Sequence, residues 1–162
     1  MTSEAKLGNM TFPFVTLHNF EVFARDARHT SGVDAILYTP VVEADEIQAF
    51  NAYASEQIKW VEYSFNITNE LEGTNLKQEP TQFVPFIFDS TVDQATGEPS
   101  IVPTTGKLCE PLWQVSPVQN DTSFIMVNWH SLSPDQKEIL EGLRATQGNY
   151  YLFEGMLANG NA

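Results

Sequence analysis

The chain of 162 residues is poor in the groups that form disulfides, metal centres and membrane spans. Its single cysteine, Cys109, excludes an internal disulfide and a thiolate-rich metal site, and we expect it to be a structural residue. No apolar run approaches the roughly 18 residues that cross a bilayer. Residues 1–10 show no basic region followed by an apolar stretch, so no signal peptide is predicted.

Basic residues are scarce, with 8 Lys and Arg against 21 Asp and Glu and a net charge of −13. They are scattered singly, whereas binding to phosphates or to anionic lipids needs them clustered. We therefore predict no nucleic-acid partner and no membrane contact by this chain itself. Residues 41–98 hold 11 acidic and 2 basic side chains, which indicates a solvated outer face or, alternatively, a cation-attracting surface.

Sequence motifs of catalysis are also missing. There is no Gly-x-Ser-x-Gly elbow and no dinucleotide fingerprint, and Gly106-Lys107 lacks the hydroxyl residue that completes a phosphate loop. The three histidines, His18, His29 and His130, lack the spacing of metal ligands. We predict no catalytic residue, no metal site and no cofactor. An enzyme stays possible, because two carboxylates that act as a catalytic acid and base can be distant in the sequence and meet only in the folded chain.

Apolar residues make up 42% of the chain, and 11 Phe, 5 Tyr and 3 Trp favour a folded globule over a disordered tail. This length is typical of one domain and buries about two thirds of the chain surface. We predict a single domain over residues 12–155, with flexible ends at residues 1–11 and 156–162.

Three helices are predicted from apolar periodicity. Asn19 is placed to cap a helix over 20–29 with an apolar stripe of Phe20, Phe23, Ala24 and Ala27, and Ser31-Gly32 ends it. The longest helical pattern covers 43–63, with Glu43, Asp45 and Glu46 in its first turn. A third helix begins at the capping box of Ser133 and Gln136.

Five apolar segments predict strands, at 33–42, 82–89, 111–118, 123–129 and 150–153. Loops are predicted over 66–81 and 90–110, and the second of them closes a hairpin-like return. This order of elements favours an α+β fold. It consists of an antiparallel or mixed sheet of about five strands, with the helices packed on one face.

Three N-glycosylation sequons begin at Asn9, Asn66 and Asn120. All three fall in segments that are predicted to be loops or the N-terminal lead-in. Together with the single cysteine, they are compatible with an extracellular location.

Five blocks of sequence, in order, carry a resemblance to a known family. They are 12–16 before the first helix, 35–42 before the acidic helix, the strand 83–89, and the segments 111–117 and 123–128. In this order they resemble the extracellular sensory domain of diatom receptor-type guanylate or adenylate cyclases. That domain is similar to the CHASE sensor of cyclases and histidine kinases.

The resemblance implies a PAS-like sensor that binds a small molecule on the extracellular side of the plasma membrane. In the family, the signal passes by dimer rearrangement to a cytoplasmic cyclase, so a homodimer is a possible partner. This sequence contains no transmembrane helix and no cyclase region. It is therefore expected to be a sensor fragment, a truncated gene model or a stand-alone relative, and not itself an enzyme.

The resemblance also implies a ligand pocket against the sheet. Six side chains on the matching strand blocks offer aromatic walls and polar groups: Tyr38, Phe86, Asp89, Trp113, Gln114 and Asn128. The alternative interpretation places Phe86 and Trp113 in an ordinary core and makes Asp89 the cap of a strand end. Two other functions remain open, a small soluble enzyme with its site in the sheet cleft and a spacer that only dimerises.

Overall fold

The computed structural model describes residues 11–77, 83–92, 99–118 and 122–132. These residues confirm the α+β class. The helices are α1 (Phe20–Ser31), α2 (Ile47–Gln57) and α3 (Trp60–Glu72), and the strands are β1 (Ile36–Tyr38), β2 (Phe88–Val92), β3 (Pro99–Pro103) and β4 (Gln114–Ser116). A 3-10 turn, Trp129–Ser131, follows them. The predicted helix at Ser133 and the predicted strand at 150–153 lie outside the described residues.

The strands form two antiparallel sheets of two strands each. β1 pairs with β4, with Ile36 opposite Ser116, and β2 pairs with β3, with Phe88 opposite Pro103. Isolated bridges join neighbouring segments at Val42–Cys109, Pro111–Asn128 and Phe88–Val127. A continuous sheet of five strands is not seen among the described residues.

Strand boundaries differ from those predicted. The segment 33–42 contributes only the three residues of β1, and the strand predicted over 82–89 begins at Phe88 instead. The chain does reverse within the loop predicted over 90–110, but as the β2–β3 hairpin; the segment that follows the loop contributes β4, which pairs with β1 instead. The residues of β3 were predicted as loop because a proline stands at each end of the strand. In the structure its apolar residues Ile101 and Val102 are 52% and 46% exposed.

The single long helix predicted over 43–63 is wrong. α2 begins only at Ile47 and ends at Gln57, and α3 runs from Trp60 to Glu72, through much of the predicted loop 66–81. Ser64 and Thr68 occupy buried positions of α3, at 2% and 1% exposure. Polar residues at these positions conceal the apolar period by which a helix is recognised.

Helix α1 is confirmed, and Gly32 ends it with a φ of 72°. Asn19 occupies the predicted N-cap position but makes no side-chain cap bond, because its Oδ1 instead accepts a 2.8 Å hydrogen bond from the Tyr63 hydroxyl. The buried face also differs from the predicted stripe. Phe23 is 68% exposed, whereas Glu21 and Arg28 are buried.

An aromatic cluster joins α2, α3 and β4 at the centre of the main core. The fully buried Trp113 meets the Phe50 and Trp60 rings edge to face, at centroid distances of 6.0 and 5.7 Å. Such pairs contribute about 0.5–1.5 kcal/mol each beyond the area they bury. Cys109 belongs to the same core, and burial raises the pKa of its thiol to about 11, so the thiol stays protonated at neutral pH.

The acidic region is exposed, as expected either of a solvated face or of a cation-attracting surface. Among the described residues, six of its acidic residues are exposed: Glu43, Asp45, Glu56, Glu62, Glu70 and Glu72. Two of them precede α2 rather than lying in its first turn. Across the described ranges, no helix combines the length and the apolar character needed to span a bilayer.

Candidate functional site

A cleft of about 370 Å³ lies between the N-terminal segment before α1 and the junction of α2 with α3. The N-terminal segment and the start of α1 form one wall, helix residues form the other, and Gln114 of β4 reaches it from the sheet. The lining residues are Thr16, Leu17, His18, Asn19, Phe20, Glu56, Gln57, Lys59, Trp60, Tyr63, Ser64 and Gln114.

Burial separates the lining residues into a floor and a rim. The floor consists of four buried residues, which are between 1% and 8% exposed: Phe20, Trp60, Ser64 and Gln114. Exposed side chains surround them at the rim, namely Leu17, His18, Glu56, Gln57, Lys59 and Tyr63. The cleft is thus aromatic and uncharged at its floor and charged at its mouth.

Three side chains from the core hold the N-terminal wall. Gln114 accepts a 2.7 Å hydrogen bond from the Leu17 amide and donates a 3.2 Å bond to the Leu17 carbonyl. The Trp113 indole donates to the Thr16 hydroxyl at 3.1 Å, and the Tyr53 hydroxyl lies 2.8 Å from the same oxygen. The Gln114 bonds satisfy backbone groups of an irregular segment and the other two hold its Thr16 side chain, so together they fix one wall of the cleft without a regular strand.

Aromatic contacts cross the cleft near its mouth. The His18 and Tyr63 rings are stacked, with centroids 6.3 Å apart and planes at 19°. The Tyr63 hydroxyl also donates to Asn19, so Tyr63 connects α3 to the opposite wall in two ways. A change in the position of α3 would therefore be transmitted to the segment before α1.

Two charges of opposite sign, Glu56 and Lys59, lie three residues apart on the helical wall. Within the described part of the chain, no ion pair involves either of them. The neighbouring Trp60 has a buried Nε1 that meets no hydrogen-bond partner among these residues. Within the described part of the chain, Glu56, Lys59 and the Trp60 Nε1 are thus polar groups of the cleft that a ligand could contact.

The six predicted pocket residues do not converge on this cleft, and Gln114 alone among them lines it. Tyr38 lies opposite Gln114 in the β1–β4 pair, and burial raises the pKa of its hydroxyl to about 12. Trp113 is fully buried in the core. Phe86 is half-buried and packs against the same core.

Asp89 and Asn128 are brought together, but around a different centre. The Asp89 carboxylate accepts hydrogen bonds from Asn128 at 2.8 Å and Thr104 at 2.7 Å, and Lys107 lies 2.9 Å away. Burial alone would raise the pKa of Asp89, but these three partners outweigh it and lower the pKa below 3.8. Asp89 is the second residue of β2 rather than the cap of its end. The Asp89 cluster is internally satisfied and joins β2 to the segments around it.

A buried charge network lies beneath α1. The fully buried Glu21 accepts a 3.0 Å bond from the Ser116 hydroxyl and lies 3.6 Å from Arg28 Nη2. Arg28 also donates to Ser116 at 3.1 Å and to Glu72 at 2.9 Å. Burial raises the pKa of Glu21, and the Ser116 bond and the Arg28 charge partly oppose that effect. The network attaches α1 to β4 and α3, and no solvent reaches its carboxylate.

The glycosylation sequons can be placed only in part. Asn66 is exposed but lies on α3, not in the predicted loop, and the Thr68 of its sequon is 1% exposed. Asn9 and Asn120 lie outside the described residues.

Few features of the sequence indicate the cleft itself. Trp60 falls within the helical pattern predicted over 43–63, whereas Leu17 and His18 belong to a segment with no periodicity. One feature of the sequence does distinguish Lys59: residues 41–98 contain 11 acidic residues and only 2 basic ones, and Lys59 is one of the two.

Metal chemistry finds no support in the described ranges, where no group of three His, Cys, Asp or Glu side chains converges. Comparison of the chain with protein-family models, with curated proteins and with solved structures found no match.

Proposed function

We propose that this chain is a ligand-sensing module that binds a small molecule in the cleft between the segment before α1 and the α2–α3 junction. The observation that carries the proposal is the cleft itself. Its volume of about 370 Å³ lies within the range of about 300–1,000 Å³ that is usual for small-molecule sites. An aromatic floor with polar groups at the mouth is also the usual composition of such sites.

The walls of the cleft suit a sensor because they belong to different parts of the fold. One wall leads directly into α1, and the other contains the break between α2 and α3. A ligand that contacts both walls favours one relative position of these helices, and any difference in affinity between two positions shifts their populations. This is the physical requirement for relaying occupancy to another domain or to a second copy of the chain.

The resemblance to the sensory domain of receptor-type cyclases supports an extracellular position in a larger receptor. The bridges that join the two sheets support the finer proposal of one PAS-like sheet, with the segments around Cys109 and Val127 as its irregular centre. In this proposal the chain itself carries out no catalysis, and a cyclase in the parent receptor produces the output.

Thermal-shift screening against a metabolite library tests the proposal. A ligand at 100 times its Kd stabilises the folded state by about 2.7 kcal/mol, which is readily detected. Each ligand found is then measured on His18→Ala and Tyr63→Ala, which alter the mouth of the cleft. The matched control is His130→Ala, another exposed histidine, which contacts Glu110 and does not line the cleft.

We expect the two cleft variants to bind the ligand more weakly and the control to bind it as the wild type does. The proposal fails if no compound raises the melting temperature. It also fails if the ligand affects the cleft variants and the control equally. Turnover of a bound compound would favour the enzyme alternative, and stable dimers that bind nothing would favour the spacer.

A further inference from the structure

We infer that the ligand of the cleft is a zwitterion of the amino-acid class, with one carboxylate and one ammonium group. This inference rests on the proposed function, because it assigns a chemistry to the ligand of that same cleft. The observation behind it is the presence of Glu56 and Lys59 in one lining, with neither engaged in an ion pair within the described part of the chain.

The charge distribution makes Lys59 unusual. It is one of 2 basic residues in a region with 11 acidic ones, and it lines the cleft. A carboxylate ligand is repelled by a chain of net charge −13, so it needs a local cation close to its binding position. Lys59 supplies that cation at the mouth, where the ammonium group on its flexible stem can follow the ligand.

Glu56 sets the second requirement. A simple anion bound beside Lys59 would lie in the field of the Glu56 carboxylate, and a simple cation bound beside Glu56 would lie in the field of the Lys59 ammonium. A ligand with both charges satisfies both groups. Glu56 belongs to the last turn of α2 and Lys59 precedes α3, and both line the cleft at the junction of the two helices, so one ligand can reach both charges there.

The floor of the cleft accounts for the rest of the ligand. Phe20 and Trp60 are buried there, and Tyr63 stands at the mouth. These rings favour an apolar side chain, and their faces also attract an ammonium group. The geometry therefore points to an amino acid with an aliphatic or aromatic side chain.

Isothermal titration of the full chain with L-leucine, L-phenylalanine and L-tryptophan tests the inference. Each amino acid is compared with its N-acetyl derivative, which lacks the ammonium charge, and with its carboxamide, which lacks the carboxylate charge. We expect at least one free amino acid to bind, and each of its derivatives to bind at least about tenfold more weakly.

Two charge-neutralising variants assign the groups. Lys59→Gln is expected to weaken the free amino acid and to leave the carboxamide unchanged, whereas Glu56→Gln is expected to leave the N-acetyl derivative unchanged. The controls Lys77→Gln and Glu62→Gln make the same changes in net charge outside the cleft lining, and they should bind the free amino acid as the wild type does.

The outcomes separate the inference from the proposed function. If a derivative binds as tightly as its parent, or if only neutral or singly charged library compounds bind, the zwitterion assignment is overturned and the ligand-binding function stands. If neither the amino acids nor any library compound binds, both are overturned.

Discussion

Removal of the Arg28 guanidinium gives the sharpest measure of how α1 is held. In Arg28→Met the apolar stem remains, and the fully buried Glu21 carboxylate loses its only nearby cation among the described residues while it keeps neutral hydroxyl neighbours such as Ser116. Removing one partner of a buried ion pair costs about 3–5 kcal/mol. We expect about 3 kcal/mol, the lower end. The Arg28–Glu21 separation is a long 3.6 Å, and the Glu72 side chain is 24% exposed and can be rehydrated.

Three companion variants identify the source of that loss. Glu21→Gln keeps an acceptor for Ser116 and leaves Arg28 paired with Glu72, so we expect a cost of about 1 kcal/mol. The double variant Glu21→Gln with Arg28→Met leaves no buried charge, so it should be more stable than Arg28→Met alone. Arg25→Met is the control. Arg25 lies on the same helix, and its ion pairs of 3.4 and 3.9 Å contribute at most about 1 kcal/mol.

Urea denaturation at neutral pH, followed by circular dichroism, measures all four free energies of unfolding. The reasoning is refuted if Arg28→Met is no less stable than Arg25→Met. It is equally refuted if the double variant loses the sum of the two single losses, because the uncompensated Glu21 charge would then not be the cause.

The pKa directions predict opposite pH dependences at two carboxyls. The pKa of Glu21 is raised, so the stability that Glu21 contributes is present below the ordinary pKa of 4.5 and is lost as the pH rises through the folded pKa. Glu21→Gln should therefore cost more stability in acid than at neutral pH. The pKa of Asp89 is lowered, so the stability that Asp89 contributes is present above the ordinary pKa of 3.8 and is lost as the pH falls through the folded pKa. Asp89→Asn should therefore cost more stability at neutral pH than in acid. Urea titrations at several pH values would contradict this if either trend were reversed. Gln114→Leu removes both side-chain bonds to the Leu17 backbone and should cost about 1–3 kcal/mol, with faster amide hydrogen exchange at Leu17; unchanged exchange would contradict the proposed role of these bonds. Gly32→Ala meets no atom within 4 Å but retains a φ of 72°, so it should lower stability by about 1 kcal/mol, and an unchanged melting temperature would contradict the strain argument.

The sequence predicted the fold best where apolar residues alone faced the core. The position of α1 and its end at Gly32 were recognised, because a left-handed glycine has a local signature. The failures share one cause, which is that polar residues occupy buried positions. Ser64 and Thr68 concealed α3, and Glu21 concealed the buried face of α1.

The site was predicted less well because its walls meet only through tertiary contacts. Gln114 was selected as a polar side chain on an apolar strand, and it does line the cleft. Its partner, the backbone of Leu17, has no side-chain signal and lies 97 residues away. Asp89 and Asn128 were both predicted as ligand-binding residues; the structure joins them by one hydrogen bond within a cluster that Thr104, Lys107 and the Glu110 amide complete.

Strand β3 has a consequence for association between chains. It begins at Pro99 and ends at Pro103, and a proline has no amide hydrogen to offer a neighbouring strand. Only the three residues between them, Ser100 to Val102, have an amide hydrogen, and some of these amides point toward β2 in the antiparallel pair. The exposed apolar side chains of Ile101 and Val102 would otherwise make this edge a template for intermolecular β-pairing. The two prolines thus oppose intermolecular strand pairing at a hairpin whose exposed apolar side chains favour it.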